Sequence, residues 1–331
     1  MVKNYETLKG SIWFNDKFVK AKNAKLHVLS HGLHFASVSF EGIRVYNKKA
    51  FKLEDHIERL FVSSDLLQIK IPYSKKKLID ACKKLIFSLK LKDGYLRPIV
   101  WRGGQSMAPG IKNAKINVAI AGWKWPVYYS NSAKEAGINL TISKWKRPPT
   151  ECAPVKSKCS GLYQICTIAK NEATKKKFDD AVMLDLYGNV CETTSSNIFF
   201  IKGNIVETPD ADCFLNGITR KEVIKLCKRN KLKIKEKKIR IKNLKSYDSC
   251  FITGTAAEIT PVYKINNLKF DTKNSLLNFD EKNNKLIIPE INGLRISLSS
   301  LLLHSQNFNK NENLFLKSNF FTSIKKLFED T

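Results

Sequence analysis

The chain has 331 residues, 43% of them apolar, which is enough for two domains with cores of their own. No apolar run approaches the ~18 residues of a membrane span, none of signal-peptide length opens the chain, and the eight cysteines include no Cys-x-x-Cys pair; a soluble, cytoplasmic protein with reduced thiols is expected. The net charge of +28 suits an anionic partner, but lysines are spread over the whole length, and the runs at 75–77, 175–177 and 235–238 sit at element edges without a recognisable binding module, so no specific nucleic-acid site is expected.

In chain order, apolar residues alternate over 11–14 and 17–20 about Asn15-Asp16, which predicts a two-residue hairpin. Residues 38–46 and 50–52, flanking Asn47-Lys48-Lys49, repeat the pattern. Ile57, Leu60, Phe61 and Leu67 form one helical face, and Leu78, Ile79, Cys82, Leu85, Ile86 and Leu89 a second. Residues 95–101 and 116–121 read as buried strands. A small α+β domain therefore spans 1–122. The stretch 123–135 contains a proline and is rich in aromatic residues (Trp123, Trp125, Tyr128, Tyr129), which marks an interdomain loop packed over the mouth of a site. The larger domain, 136–331, carries predicted strands at 138–142, 181–185, 190–192, 198–201, 205–207, 232–237 and 249–253, with helices at 162–173 and 218–228. From about residue 265 the chain becomes an Asn-rich tail, with apolar runs at 286–288 and 296–303 and a closing helix expected at 320–328.

The chemistry concentrates in the second domain. Lys158-Cys-Ser-Gly-Leu-Tyr163 places a lysine ahead of a helix, and Gly188-Asn-Val-Cys-Glu192 places a carboxylate in a downstream hairpin. An amine for a Schiff base and an acceptor for a protonated ring nitrogen are what pyridoxal phosphate requires. Leu215-Asn-Gly217-Ile-Thr219-Arg220 reads as a tight turn opening a helix, where backbone N–H groups and a hydroxyl suit a phosphate. The stretch from Thr253-Gly-Thr255-Ala256-Ala257-Glu258 to Val262 reads as a second small-residue loop. His27, His31 and His34 lack a carboxylate or cysteine to complete a ligand set, so no metal is expected.

With His31-Gly-Leu-His34, Phe40-Glu-Gly-Ile-Arg44, Glu58-Arg59-Leu60 and Gly94-Tyr95-Leu-Arg97-Pro98 in matching order and spacing, the chain resembles the branched-chain amino-acid aminotransferases over about residues 10–264. These are fold-type IV pyridoxal-phosphate enzymes with a two-domain, D-amino-acid aminotransferase-like fold. The resemblance implies transamination of L-leucine, L-isoleucine and L-valine with 2-oxoglutarate in amino-acid biosynthesis, pyridoxal 5'-phosphate as cofactor, and a homodimer or higher homo-oligomer. It makes Lys158 the catalytic lysine; the spacing to Tyr163 selects it over Lys156. It assigns cofactor binding to Arg59, Lys158, Tyr163, Glu192, Leu215, Ile218, Thr219 and Thr255. Glu192 would face the ring nitrogen, Tyr163 the phenolic oxygen, and Arg59, Ile218, Thr219 and Thr255 the phosphate. Substrate would meet Phe40, Tyr95, Arg97, Trp125, Ala256 and Ala257, with Met107 from a neighbouring subunit, and Arg97 would receive the distal carboxylate of glutamate. Phe35 departs from the tyrosine of many relatives and removes one hydroxyl. Two enzymes of the same fold, D-amino-acid aminotransferase and aminodeoxychorismate lyase, are alternatives; a basic nucleic-acid-binding protein on an inactive form of the fold is another.

Overall fold

The computed structural model describes residues 4–272 except 112, 126, 127, 131, 132, 134, 135 and 230, together with 278–280 and 285–287. The run at 296–303 and the expected helix at 320–328 lie outside the described residues. Two compact units are present: unit 1 comprises Met1–Pro126 and Pro154–Gln164, and unit 2 comprises Val127–Ala153 and the chain from Ile165 onward. A division into 1–122, 123–135 and 136–331 has no place for the return of 154–164 to the first unit.

Unit 1 is an antiparallel sheet covered by two helices. Its strands are β1 (Ser11–Phe14), β2 (Lys17–Lys20), β3 (Val38–Phe40), β4 (Ile43–Tyr46), β5 (Lys49–Ala50), β6 (Gly94–Arg102) and β7 (Ile116–Lys124), in the order β2-β1-β7-β6-β4-β5, with β3 also on β6. Asn15 and Asp16 turn the first hairpin with φ of 45° and 70°, the left-handed geometry that a two-residue turn between twisted strands requires. The predicted strand over 38–46 is two strands, broken at Glu41-Gly42, and its turn is Asn47-Lys48 alone, since Lys49 pairs with Tyr46.

The helices Leu53–Asp65 and Lys75–Ser88 bury Ile57, Leu60, Leu78, Cys82 and Leu85 against Leu96, Val100, Val118 and Ile120 of the sheet. Leu67 lies beyond the end of its helix but still packs on this core. The side chain of Ser74 accepts the Lys77 N–H and so caps the second helix. Because side chains alternate along a strand, Leu96 and Val100 of β6 face these helices, whereas Tyr95 and Arg97 face the opposite side.

Unit 2 is a larger mixed sheet. It contains β8 (Ile138–Lys146), β9 (Asp180–Leu184), β10 (Asn189–Thr193), β11 (Asn197–Lys202), β12 (Ile205–Pro209), β13 (Lys233–Lys237), β14 (Ile239–Arg240), β15 (Ser249–Gly254), β16 (Glu258–Ile265) and β17 (Leu268–Lys269). The order is β13-β12-β11-β15-β16-β8-β9-β10-β14, and β10 pairs with β11 as well, so six strands close into a ring. The closing pair is Glu192 with Asn197. Its core gathers Leu140, Val182, Ile198, Phe200, Ile252 and Val262. The small-residue loop expected to run to Val262 is only a hairpin turn, because β16 begins at Glu258, whose φ is 57°. Residues 278–280 and 285–287 pair as a short antiparallel hairpin.

Candidate active site

Lys158 reaches unit 1 on the returning segment. Its backbone N–H donates to Ser63 Oγ at 2.9 Å, its carbonyl accepts the Phe40 N–H at 3.1 Å, and Ser39 and Cys159 form an antiparallel bridge. The neighbouring Ser157 hydroxyl donates to the Ser63 carbonyl at 2.8 Å. The lysine is therefore held at both ends, against the edge of β3 and the buried side of the Leu53–Asp65 helix. Its Nζ donates to the Tyr163 hydroxyl at 2.7 Å and lies 5.0 Å from the centre of the Phe40 ring. Burial, and next the Arg59 charge, lower its pKa to about 8, while Glu41 and Tyr95 act in the opposite direction. Lys156, two residues earlier, is exposed.

Arg59 stands on the same helix as Ser63, and its fork is already engaged. Nε donates to Glu41 Oε1 at 2.6 Å and Nη2 to Oε2 at 2.9 Å. Glu41 is completely buried at the break between β3 and β4, and its Oε2 also accepts from His56 Nδ1 at 2.7 Å and from the Gly42 N–H at 3.2 Å. Burial would raise the Glu41 pKa, but Arg59 and His56 outweigh it and hold the carboxyl well below its usual range. Burial lowers the pKa of His56 despite Glu41 beside it, which keeps the imidazole neutral with Nδ1 as donor. Burial works against the Arg59 charge as well, yet Glu41 prevails and raises its pKa. The Nε/Nη2 edge of the guanidinium thus belongs to Glu41.

The face of β6 away from the helices carries Tyr95 and Arg97. The Tyr95 ring stacks on Trp125 at 4.3 Å and packs on Trp123 at 5.3 Å. Arg97 lies over the Phe40 ring at 4.7 Å, and Phe40 packs against Tyr163 at 5.1 Å. A Cβ on Gly42 would stand 1.8 Å from the Tyr95 hydroxyl, so this glycine is required for the phenol to lie where it does. Met107 is 41% exposed and belongs to the connection between β6 and β7 of unit 1. Phe35 is likewise exposed and packs on His31 at 4.6 Å. The histidine rings serve local bonds: His31 meets Ser37 Oγ and the Ala108 carbonyl, His34 meets the Val28 carbonyl, and His27 accepts from the Leu29 N–H.

In unit 2 Glu192 is buried in β10. Its Oε1 lies 3.5 Å from Arg147 Nε, and its Oε2 accepts from Asn197 Nδ2 at 3.4 Å. Asn197 also donates to the Leu215 carbonyl at 3.0 Å and accepts the Gly217 N–H at 3.1 Å. One amide thus joins the carboxylate strand to the turn that opens the Ile218–Arg229 helix. A Cβ on Gly217 would fall 2.2 Å from Asn197 Oδ1. Ile218 and Thr219 are buried in the first helical turn, where N–H groups lack intrahelical acceptors. Thr255, Ala256 and Ala257 form the β15–β16 turn, with Thr255 half-buried and Ala257 fully so. Arg147 is buried, and its Nε also donates to the Cys213 carbonyl at 3.3 Å.

Four participants escaped the reading of the sequence: Glu41, His56, Arg147 and the bridging role of Asn197. Glu41 and Asn197 lie inside quoted motifs, and the three-residue spacing of His56 and Arg59 puts both on one helical face. Arg147 has no local signal, because its partners Glu192 and Cys213 lie more than 40 residues away in the chain.

Comparison with known proteins shows what the chain is similar to. The amino-transferase class IV family profile matches residues 39–265. A probable branched-chain-amino-acid aminotransferase of Rickettsia bellii is 40% identical over 280 residues, covering 84% of this chain and 94% of that protein. Among solved structures, the Escherichia coli branched-chain amino acid aminotransferase superposes with a TM-score of 0.78 at 31% identity, covering 80% of this chain and 90% of that one. The Thermobaculum terrenum branched-chain amino acid aminotransferase, solved in its PLP-bound holo-form, gives 0.73 at 25% identity, covering 79% and 87%.

Proposed function

The chain belongs to the branched-chain amino-acid aminotransferases of the class IV amino-transferase family, and from that membership we infer that it transfers the amino group of L-leucine, L-isoleucine or L-valine to 2-oxoglutarate, giving branched 2-oxo acids and L-glutamate with pyridoxal 5'-phosphate as cofactor. The observation that carries the reading is the enclosed Lys158 amine, its pKa lowered to about 8 and its Nζ bonded to Tyr163.

Each unit by itself carries donors that suit a part of the cofactor: unit 1 an amine of lowered pKa, a phenol and a guanidinium, and unit 2 a buried carboxylate and a helix N-terminus. When bound, pyridoxal phosphate supplies a ring that withdraws the electrons left at the substrate α-carbon when its proton departs. Lys158 Nζ would hold the cofactor and take that α-carbon proton, a task that needs a neutral amine at neutral pH. Tyr163 would donate to the phenolic oxygen. Glu192 keeps a negative charge for the ring nitrogen's proton, with Arg147 and Asn197 fixing its two oxygens. Leu215 would touch the ring. Arg59, Ile218, Thr219 and Thr255 are the groups proposed for the phosphate, through a guanidinium edge, hydroxyls and first-turn amides. Tyr95 and the amides of Ala256 and Ala257 would hold the α-carboxylate, Phe40 and Trp125 the aliphatic side chain, and Arg97 the distal carboxylate of glutamate.

A homodimer is proposed, with Met107 serving a second copy. Exposed Leu26, Val28, Leu29, Leu33, Phe35 and Met107 support it, because apolar side chains in such number on one unit suit burial by a partner. A cytoplasmic location is proposed on seven buried thiols that carry no disulfide. No helix among the described residues is long and apolar enough to cross a membrane.

The test is an absorption spectrum of the purified protein. A visible cofactor band that shifts on adding L-leucine or L-glutamate, and returns with 2-oxoglutarate, is expected; a protein without such a band would overturn the reading.

A further inference from the structure

Glu41 is a carboxylate with no exposed surface that takes four donors: two from Arg59, one from His56 and one from the Gly42 amide. Nothing in the proposed chemistry uses it. His56 is equally buried, and apart from Glu41 its ring has no hydrogen-bond partner among the described residues, Nε2 being left without one. Both act on a single edge of one guanidinium. The Arg59 side chain is 13% exposed, and Nη1 takes no part in the pair with Glu41.

We propose that Glu41 and His56 are positioning residues for the phosphate end of the cofactor, acting through Arg59: they fix one edge of its guanidinium so that the other is presented, already oriented, to a phosphate dianion. The proposal rests on the reading of Arg59 as a phosphate ligand. An unrestrained arginine loses much rotamer freedom when it binds an anion, whereas here that ordering has occurred before the ligand arrives. Glu41 also cancels part of the Arg59 charge, which opposes anion binding. Orientation prevails for a geometric reason. The carboxylate lies on the far edge of the guanidinium and is itself saturated by four donors, whereas removing it leaves a buried guanidinium without a partner, free to turn its fork elsewhere. His56 contributes as a neutral donor, its Nδ1–H holding Oε2 in line with Nη2 without adding a third charge to the cluster.

The test compares two probes that differ only at the phosphate, pyridoxal 5'-phosphate and pyridoxal, titrated by tryptophan fluorescence into the full chain freed of cofactor. Glu41→Gln is expected to weaken pyridoxal 5'-phosphate at least ten-fold (about 1.4 kcal/mol) and to leave pyridoxal within about two-fold of wild type. Arg59→Ala should show the same selectivity, and Glu41→Gln added to Arg59→Ala should cost nothing further. His56→Leu should weaken the phosphorylated probe alone, and His56→Asn, which keeps a donor where Nδ1 stands, should restore it; this pair decides the matter if Glu41→Gln does not fold. Equal weakening of both probes would make Glu41 and His56 merely structural and overturn the proposal, as would an unchanged affinity for pyridoxal 5'-phosphate. Failure of the underlying reading has its own signature: Arg59→Ala would then leave the ratio of the two affinities unaltered.

Discussion

Lys158 Nζ and the Tyr163 hydroxyl lie 2.7 Å apart, five residues from each other on the one segment that returns to unit 1. The phenol therefore marks which of two nearby lysines is enclosed. Lys158→Ala is expected to abolish covalent retention of cofactor after borohydride reduction, while Lys156→Ala retains it at the wild-type level. Peptide mapping of the reduced protein checks this, and label on Lys156 would contradict it.

The lowered pKa of Lys158 has a consequence for stability. Burial moves the group from 10.5 to about 8, so between these values the unfolded chain binds more protons than the folded one, and stability rises with pH across that window. The cofactor-free Lys158→Met protein should accordingly have a higher thermal midpoint than wild type at pH 7. The gap should shrink as pH rises from about 8 toward 10.5. A gap that stays constant over this range would mean that the amine is not desolvated.

Gly217 is required by the nearness of Asn197. Gly217→Ala should cost ~1–3 kcal/mol through overpacking, which lowers the melting midpoint by a few degrees in a protein of this size. In an Asn197→Ala background the obstructing oxygen is gone, and the added cost of Gly217→Ala should fall to less than about half. Thermal melts of the four proteins provide the measurement; strictly additive midpoints would show that the clash is relieved in some other way.

Arg97 is expected to separate the two half-reactions. A branched aliphatic side chain offers a guanidinium nothing, whereas the distal carboxylate of glutamate gains a charge-assisted bond. Arg97→Ala should lower the single-turnover rate constant over Kd for L-glutamate by about ten- to a hundred-fold, the equivalent of ~1.5–3 kcal/mol, and affect L-leucine far less. Equal losses would assign Arg97 to the α-carboxylate instead.

Local order read well from the sequence, and long-range closure did not. The run 95–101 foretold a buried strand, and Asn15-Asp16 foretold a hairpin, because both follow from neighbouring residues. The β16 strand was hidden by Pro261 and by the small residues ahead of it, which mimic a loop; neighbouring β15 and β8 make it a strand. The ring closed by Glu192 and Asn197 has no local signature, since antiparallel pairing of β10 and β11 looks the same whether or not the other strands return to meet them. Glu41 was visible as a letter in a motif. Its importance lies in burial, and an acidic residue beside a glycine reads as a solvated turn until the helix carrying His56 and Arg59 is packed against it.

The return of Pro154–Gln164 to unit 1 also orders events on the ribosome. Domains form as their residues emerge, yet the amine-bearing edge of this unit is translated only after β8, a strand of unit 2. A nascent chain that has reached Pro126 carries Glu41, His56 and Arg59 but not Lys158. On the proposed role of Lys158, covalent capture of the cofactor waits until the chain has begun unit 2 with β8, and a product truncated before Lys158 cannot make that bond.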